Sequence, residues 1–484
     1  MSIPDLSSKT APCPTIVADN LLFVVFCIRF VADERAASRR PEQEKKTKPN
    51  FIHTMKRLSV FVLLLCVSFF SLRAAYVPTE ENLRYRAEFD GFRFGIFLHW
   101  GIYSMYAQGE WYLNREINGE EYAKAADAFY PHRFDAGEWV RVIKASGARY
   151  ITFTSRHHDG FSMWNTRESD YNIVKATPFG RDVLGELSQA CAEEGIRLHL
   201  YYSILDWLRD DYPVGRTGLS TGRVLRPDYD SYFQFMKRQV RELLTEYGRI
   251  DALWLDGYWD HNEDAVPFDW RMEEFYAYAH SLRPELIIGN NHHISPLEGE
   301  DFQMFERDLP GENKAGLSGQ EISRLPLEMC QTMNGMWGYK VSDINYKSVD
   351  ELVELLVRAA AKGSNLLLNI GPQPNGELPA VAVERLRGIG AWLERNGESI
   401  YNTRRGPIEE AWGVSTCGAD CLYLHVLDRE AASVTIPVDK RPKSVSFLDG
   451  GACSWRYDKK SGKLSVMLPA HTEHVDLVVK IEGA

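Results

Sequence analysis

Histidine, carboxylate and aromatic side chains follow several short apolar runs of this sequence. His99 follows the first run, His157 and His158 follow the second, and Asp256 ends a later one. Imidazoles and carboxylates hydrogen-bond to hydroxyl groups, and tryptophan and tyrosine rings cover C–H faces. Neither a triad serine nor a reactive cysteine stands among these residues. The pattern is therefore typical of a site for a ligand rich in hydroxyl groups.

Asp256 is the sharpest single candidate for a catalytic group. It ends the apolar run 252–255, and Gly257 lets the chain turn closely beside it. An aspartate in this place leaves the apolar interior at the end of a strand. A turn or a helix N-cap is the ordinary structural role for such an aspartate, and this motif alone does not decide between the two.

A metal ion is a second interpretation of the same histidines, as in amidohydrolases built on a barrel. The ligands would be one carboxylate and four imidazoles, namely Asp256, His99, His157, His158 and His292. Those enzymes usually present H-x-H on the first strand, whereas His99 stands alone there. Adjacent strand residues point to opposite faces, so His157 and His158 share a site only on loop backbone. We predict no metal ion and no other cofactor.

Six short runs rich in apolar, β-branched and aromatic residues predict buried parallel strands, at 94–99, 150–154, 197–202, 251–255, 286–289 and 365–370. Helical periodicity occurs at 135–146, 182–194, 229–247, 272–282, 349–362 and 380–396. Repeated βα units over about 310 residues favour a (β/α)8 barrel with insertions. Catalytic groups of such barrels collect at the C-terminal ends of the strands, where the polar residues above stand.

The pattern changes after residue 404. Strand-length runs separated by turn residues occur at 421–427, 432–438, 444–448, 463–468 and 475–481. We therefore predict a catalytic α/β barrel over residues 76–404 and a small antiparallel β-sandwich domain over residues 405–484.

Composition excludes several classes of protein. The 484 residues are 44% hydrophobic and 25% charged, which is ordinary for a globular protein and not for a disordered, collagenous or coiled-coil one. The net charge of −11 argues against a nucleic-acid partner. Of the eight cysteines only Cys417 and Cys421 are close, so no disulfide framework or zinc spacing is predicted, although a bridge between these two remains open.

Residues 55–75 have the pattern of a secretory signal peptide. A basic start at Met55 precedes the apolar run 58–72 and a few small residues. That run is shorter than the ~20 residues that span a bilayer, and an N-terminal membrane anchor is the alternative. We predict that residues 1–54 are a mis-called extension. The mature protein is then exported, periplasmic or extracellular, and without a membrane span.

Seven motifs, in chain order, resemble the α-L-fucosidases of glycoside hydrolase family 29. They are FGIFLHWG (94–101), GEW (109–111), HHDGF (157–161), YYS (201–203), LWLDG (253–257), WGY (337–339) and NLLLNIGP (365–372). The resemblance implies a retaining exo-glycosidase with a catalytic barrel and a C-terminal β-sandwich. Its substrates would be fucosylated oligosaccharides or glycoconjugates.

The resemblance also implies roles for individual residues. Asp256 would be the nucleophile that forms a glycosyl-enzyme intermediate. The fucose-binding residues would be His99, Glu110, Trp111, His157 and His158, with Tyr202 and Trp337 lining the pocket. Many relatives carry an arginine after the fifth strand, where this chain has His292 as a substitute.

The acid/base of the family lies on a variable loop after the nucleophile. Four glutamates here are candidates, namely Glu300, Glu306, Glu312 and Glu328. Spacing relative to Asp301 and Phe302 makes Glu306 the best match. Two other functions stay open at this point, a fucose-binding lectin without turnover and a metal-dependent barrel hydrolase.

Overall fold

The computed structural model describes residues 76–115, 117–451, 453–469 and 475–483. The predicted extension at 1–54 and signal peptide at 55–75 lie outside these residues. Eight parallel strands form the first sheet: β1 Phe94–Leu98, β2 Tyr150–Arg156, β3 Arg197–Ser203, β4 Ala252–Asp256, β5 Ile287–Asn290, β6 Gln303–Glu306, β7 Leu327–Thr332 and β8 Ser364–Ile370. Their order, β5-β4-β3-β2-β1-β8-β7-β6, is that of a barrel opened at one seam.

Asp301 bridges the seam between β5 and β6. Its backbone N–H donates to the Ile288 carbonyl (2.7 Å), and its carboxylate accepts from the Ile288 N–H (2.7 Å). The predicted (β/α)8 barrel is therefore confirmed as a nearly closed parallel barrel.

Two barrel strands, β6 and β7, were not among the predicted runs. Both are short, and Gln303, Glu306, Glu328 and Gln331 interrupt their apolar character. A search for continuous apolar runs therefore passes over them. Glu306 and Glu328 consequently lie on barrel strands and not on a loop.

The helices are α1 Glu80–Asp90, α2 Tyr112–Arg115, α3 Gly119–Ala123, α4 Ala136–Ala145, α5 Val183–Glu194, α6 Tyr229–Glu246, α7 Met272–Leu282, α8 Val349–Ala361 and α9 Ala380–Asn396. Asp135, Asp182 and Asp228 cap α4, α5 and α6 by accepting a backbone N–H of the first turn. Ser348 and Glu351 form a capping box on α8. Residues 291–302 and 307–326, which flank β6, contain no helix and leave room at the barrel mouth.

A β-sandwich follows the barrel. Its strands are β9 Arg404–Glu410, β10 Gly413–Cys417, β11 Cys421–Val426, β12 Ser433–Pro437, β13 Ser444–Phe447, β14 Ser454–Asp458, β15 Lys463–Met467 and β16 Leu477–Glu482. A five-stranded sheet (β13-β16-β11-β10-β9) and a three-stranded sheet (β12-β15-β14) enclose one apolar core, which includes Leu424, Ile436 and Val466. Sequence patterning missed β9, β10 and β14; β9 is mostly exposed and carries four charged residues.

Two further expectations concern the cysteines and the membrane. Cys417 and Cys421 carry free thiols in the structure. In the described part of the chain, no helix combines the length and the apolar character needed to cross a bilayer.

Candidate active site

A cavity of about 250 Å³ opens at the C-terminal ends of the barrel strands. This volume lies below the ~300–1,000 Å³ typical of pockets for drug-sized ligands, so it suits a small ligand such as a single sugar ring. Its lining comprises Phe97, His99, Trp111, His157, His158, Tyr201, Arg216, Trp254, Asp256, Trp259, Asn291, His293, Glu306, Leu317, Cys330 and Trp337. Seven of these residues are site residues predicted from the sequence: His99, Trp111, His157, His158, Asp256, Glu306 and Trp337.

Asp256 ends β4 and presents its carboxylate to this cavity. Oδ1 accepts from the Gly257 N–H (2.9 Å) and from the Trp259 indole N–H (3.0 Å). Oδ2 accepts from the Tyr201 hydroxyl (2.9 Å) and lies 3.4 Å from His158 Nε2. Gly257 adopts a φ of 109°, and a Cβ there would lie 2.9 Å from the Leu205 side chain. A glycine is therefore needed for the turn that brings its N–H to the carboxylate.

These donors determine the charge of Asp256. Burial alone would raise the pKa of this carboxyl, but the hydrogen bond and charge of His158 and the bonds from Trp259 and Tyr201 lower it below its usual value. Asp256 is thus held as a carboxylate, which is the form that a nucleophile requires.

Glu306 ends β6 and borders the same cavity. Burial raises the pKa of Glu306 and the negative charge of Asp256 raises it further, while His293 and the Asn291 hydrogen bond lower it; the net direction is upward. The pKa values of the two carboxyl groups in the pocket are therefore shifted in opposite directions. Such a division allows one to remain ionised while the other carries a proton.

Asn291 links the two carboxyl groups. Its Nδ2 lies 2.8 Å from Glu306 Oε2 and 3.4 Å from Asp256 Oδ1. One amide nitrogen therefore contacts an oxygen of each carboxyl group, and the two groups meet in the same part of the cavity.

His99 follows β1, and a contact with Asn369 orients its ring. Its Nδ1 contacts Asn369 Oδ1 (2.6 Å), and the amide nitrogen of Asn369 donates to the Trp337 carbonyl (2.7 Å). Nδ1 is then the protonated nitrogen, and Nε2 is an acceptor for a ligand hydroxyl. Burial lowers the pKa of His99 to about 3, so the ring is neutral.

His157 and His158 stand side by side after β2. His157 stacks on the Tyr201 ring (5.3 Å between centroids, 8° between planes), and burial lowers its pKa. His158 Nδ1 contacts Ser203 Oγ (2.7 Å), and that hydroxyl donates onward to the Leu205 carbonyl (2.7 Å). Both rings therefore have set orientations beside Asp256.

Tryptophans form one wall of the cavity. Trp111 stacks on Trp259 (5.7 Å, 21°) and meets Trp207 edge to face (5.3 Å). Trp337 lies 5.2 Å from the His99 ring on another side. This arrangement offers apolar surface for C–H groups opposite the polar groups.

Glu110 does not border the cavity. It is buried, and its Oε2 accepts from the Gly338 N–H (2.7 Å). Its contact therefore positions the segment that carries Trp337.

Tyr202 was predicted to line the pocket, and the structure places Tyr201 there instead. The Tyr202 hydroxyl donates to Gln239 Oε1 (2.8 Å) on the helix side of β3. Successive strand residues face opposite sides, and Tyr201, Ser203 and Asp256 share the inner face.

His292 was predicted to replace an arginine of the site, but it too faces away from the cavity. Its Nε2 lies 2.9 Å from Glu300 Oε1. The neighbouring His293, with a left-handed φ of 63°, borders the cavity and lies 3.7 Å from Glu306 Oε2.

The remaining three glutamate candidates lie outside the cavity. Glu300 accepts from the Tyr276 hydroxyl (2.7 Å) as well as contacting His292. Glu312 pairs with Lys314 (2.8 Å) beside a different cavity. Glu328 is buried in the barrel interior. Of the four, Glu306 alone borders the pocket.

Sequence reasoning gave no role to several pocket residues, among them Phe97, Tyr201, Arg216, Trp254, Trp259, Asn291, His293, Leu317 and Cys330. For Phe97, Tyr201 and Trp254 a signal exists, because each stands two residues before a polar residue at or just after the end of its strand. No comparable signal marks the loop residues. In the described ranges, no group of three or more His, Cys, Asp or Glu side chains is arranged to hold a metal ion.

A family model described as alpha-L-fucosidase matches residues 67–398 of the chain. Plasma alpha-L-fucosidase of Rattus norvegicus is 31% identical over 380 residues, which cover 71% of this chain and 77% of that protein. Alpha-L-fucosidase of Branchiostoma floridae is 28% identical over 448 residues, covering 84% and 95%.

Solved structures of the same kind are also similar. Alpha-L-fucosidase isoenzyme 1 from Paenibacillus thiaminolyticus superposes with a TM-score of 0.74 at 33% identity, covering 83% of this chain and 99% of that one. Thermotoga maritima alpha-fucosidase, in complex with a mechanism-based inhibitor, gives a TM-score of 0.66 at 28% identity, covering 84% and 100%.

Proposed function

Because the chain belongs to the α-L-fucosidase family of glycoside hydrolases, we propose that it removes terminal α-L-fucose from fucosylated oligosaccharides or glycoconjugates with retention of configuration. Asp256 is the proposed nucleophile and Glu306 the proposed acid/base. The observation that carries this assignment is the pair of carboxyl groups that border one cavity and share the Asn291 amide, since a retaining enzyme needs its two carboxyl groups close together.

The first step breaks the glycosidic bond. Asp256 attacks the anomeric carbon and forms an ester with the sugar, while Glu306 gives its proton to the departing glycosidic oxygen. The opposed pKa shifts of the two groups favour this division of roles. The leaving glycan departs as an alcohol.

The second step restores the enzyme. Glu306, now a carboxylate, takes a proton from a water molecule as that water attacks the anomeric carbon. The ester bond to Asp256 breaks and its electron pair returns to the carboxylate. Two displacements at one carbon yield fucose with its original α configuration.

The closed floor of the cavity supports action at chain ends. Phe97, Trp254 and Cys330 border the cavity and are at most 2% exposed. We therefore propose that a terminal sugar ring sits on this floor with its leaving group toward the mouth of the barrel. The neutral imidazoles of His99 and His157 accept hydrogen bonds from its hydroxyls, and the aromatic surfaces cover its methyl group.

Product stereochemistry tests this function. Nuclear magnetic resonance during hydrolysis of an aryl α-L-fucoside should show α-L-fucose first and the β anomer only by later mutarotation. Peptide mapping after reaction with a 2-fluoro-fucosyl fluoride should find the sugar on Asp256. The β anomer as first product would refute retention, and a label on another residue would refute the nucleophile.

We also propose that the protein is exported. The support is the basic start, apolar run and small residues at 55–75. N-terminal sequencing of the protein from its source should find a mature end near residue 76. A mature end near residue 1 would contradict both the signal peptide and the mis-called extension.

A further inference from the structure

A buried carboxylate lies directly beneath the pocket floor. Glu328 projects from β7 into the barrel interior and is 1% exposed. Its Oε1 accepts from the Trp254 indole N–H (2.8 Å), and its Oε2 accepts from the Tyr150 hydroxyl (2.7 Å). Three strands of the barrel are thus joined at one carboxyl group.

The donors explain why an acceptor is needed at position 328. An indole N–H can only donate, so without Glu328 the Trp254 N–H would be unpaired in an apolar interior. The Tyr150 ring reaches Glu328 across β1 because Gly95 leaves it space; a Cβ at Gly95 would lie 2.3 Å from that ring. Burial raises the pKa of Glu328 to about 7, against the lowering effect of its two hydrogen bonds.

Trp254 connects this carboxyl group to the catalytic site. Its ring borders the cavity and stacks on the Tyr201 ring (5.4 Å between centroids, 27° between planes). The Tyr201 hydroxyl donates to Asp256 Oδ2 (2.9 Å). Tyr201 and Trp254 are also register partners on β3 and β4.

Apolar packing alone does not orient the indole. Phe97 also contacts Trp254 (5.0 Å between centroids, 59° between planes), but an aromatic contact of this kind is compatible with a range of offset and edge geometries. The hydrogen bond to Glu328 is directional, so it sets the plane against which Tyr201 stacks.

We infer that Glu328 is a positioning residue of the active site, which orients Trp254 and, through the stacked Tyr201, the hydroxyl donated to Asp256. The inference rests on the proposed role of Asp256 as nucleophile. Glu328 touches neither the cavity nor the substrate, so its effect on turnover is transmitted through these two rings.

A merely structural role would make Glu328 equivalent to any buried glutamate that accepts an indole N–H. The chain contains a matched case on α6. Glu242 is 2% exposed and accepts from the Trp164 indole N–H (3.2 Å) and the Thr166 hydroxyl (2.7 Å), away from the pocket. It also accepts from the Arg167 backbone N–H (3.1 Å) and pairs with the Arg167 side chain (3.3 Å), so its loss removes at least as many contacts as the loss of Glu328. Glu242→Leu therefore controls for the loss of a buried acceptor.

The central variants are Glu328→Leu and Glu328→Gln. Glu328→Leu should lower kcat/KM for an aryl α-L-fucoside on the order of 10–100-fold, mainly through kcat, because the orientation of the nucleophile matters most in the transition state. Glu328→Gln should retain most activity, since its carbonyl accepts from Trp254 and its amide donates to Tyr150. Glu242→Leu should lose stability and keep its kinetic constants.

The pH dependence of kcat/KM is a measurement that a loss of stability alone does not change. His158, Tyr201, Glu306 and His99 are the ionisable groups that act on Asp256. The Tyr201 bond lowers the pKa of Asp256, so its distortion in Glu328→Leu should move the acidic limb of kcat/KM to higher pH. Tyr201→Phe should move it in the same direction, and the double variant should add little further.

Two outcomes would overturn the inference. If Glu328→Leu matches Glu242→Leu, with unchanged kcat/KM and acidic limb, the positioning role is wrong. If Glu328→Leu does not fold, Trp254→Phe breaks the same bond from the other end, and an unchanged acidic limb there overturns the inference too. Asp256→Ala is measured in parallel: its retained activity would overturn the proposed nucleophile, which neither of the two outcomes above would do.

Discussion

Two groups of side chains among the described residues each join a hydroxyl, an imidazole and a carboxylate in that order. They differ in whether one of these side chains faces the cavity. The first, at the barrel mouth, consists of Ser203, His158 and Asp256. Ser203 Oγ contacts His158 Nδ1 (2.7 Å), and His158 Nε2 faces Asp256 Oδ2 (3.4 Å). The Ser203 hydroxyl is buried and the Asp256 carboxylate faces the cavity.

The second group lies in the β-sandwich and consists of Thr416, His425 and Asp476. Thr416 Oγ1 contacts His425 Nε2 (3.2 Å), and His425 Nδ1 contacts Asp476 Oδ2 (2.7 Å). The side chains of His425 and Asp476 are fully buried, and the Thr416 hydroxyl donates to the Ser399 carbonyl (2.6 Å). These bonds join β10 and β11 to the start of β16 and to the segment that follows α9.

The comparison shows that residue types alone do not define a catalytic site. Both groups contain the residue types of a catalytic triad, yet in neither does the hydroxyl face a cavity that binds the proposed substrate. At the barrel mouth the accessible member is the carboxylate, which has three further donors from Tyr201, Gly257 and Trp259. The accessible carboxylate is the reason for proposing Asp256 as the nucleophile, whereas we expect the buried sandwich group to contribute stability.

The largest difference in kcat between the two groups should appear when the charge of the carboxylate is removed in each. Asp256→Asn should lower kcat for an aryl α-L-fucoside by at least about 10³-fold, because no nucleophile remains. Asp476→Asn should leave kcat per folded molecule unchanged. Steady-state kinetics with circular dichroism as the folding control measure both, and a comparable loss of kcat at Asp476 would contradict the distinction.

The second effect concerns protonation of the leaving group. Glu306→Gln should reduce hydrolysis of a fucosylated disaccharide by roughly 10²–10⁴-fold and that of an aryl fucoside with a good leaving group far less. Added azide should restore activity on the aryl substrate. Glu312→Gln, which alters a glutamate beside a different cavity, is the control. Equal losses on both substrates would argue against Glu306 as the acid.

The third effect is a shift of the basic limb of the pH profile. The first step needs protonated Glu306, so activity falls as pH rises through its pKa. His293 lowers the pKa of Glu306; His293→Gln should therefore raise it and extend activity to higher pH. His425→Gln, in the sandwich group, should leave the limb in place. A shift to lower pH in His293→Gln would contradict the assignment.

Sequence reasoning predicted the barrel and two carboxyl groups, Asp256 and Glu306, that border its cavity. It failed where both faces of a strand are buried. Residues 198–203 of β3 are all buried, so no polarity pattern tells Tyr201 from Tyr202. The choice depends on register, because Tyr201 pairs with Trp254 and Ser203 with Asp256. Register between distant strands is not visible in a single run of sequence.

Loop residues were missed for a different reason. The left-handed backbone at His293 turns its side chain to the pocket while His292 binds Glu300. An unusual φ at a histidine has no sequence signature comparable to that of glycine. The family resemblance predicted a site residue after β5, but it did not identify which side chain there faces the cavity.

The smallest expected effect comes from removing the hydroxyl group that contacts each imidazole. Ser203→Ala should lower kcat/KM several-fold to about tenfold, because His158 loses the partner that orients it toward Asp256. Thr416→Val should leave kcat/KM unchanged and lower the free energy of unfolding by about 1–3 kcal/mol, since His425 Nε2 and the Ser399 carbonyl lose their partner. Urea unfolding and kinetics on both variants separate the two quantities. Equal losses of kcat/KM would mean that activity follows overall stability, and a kinetic effect confined to Ser203→Ala would mean that it follows the orientation of His158.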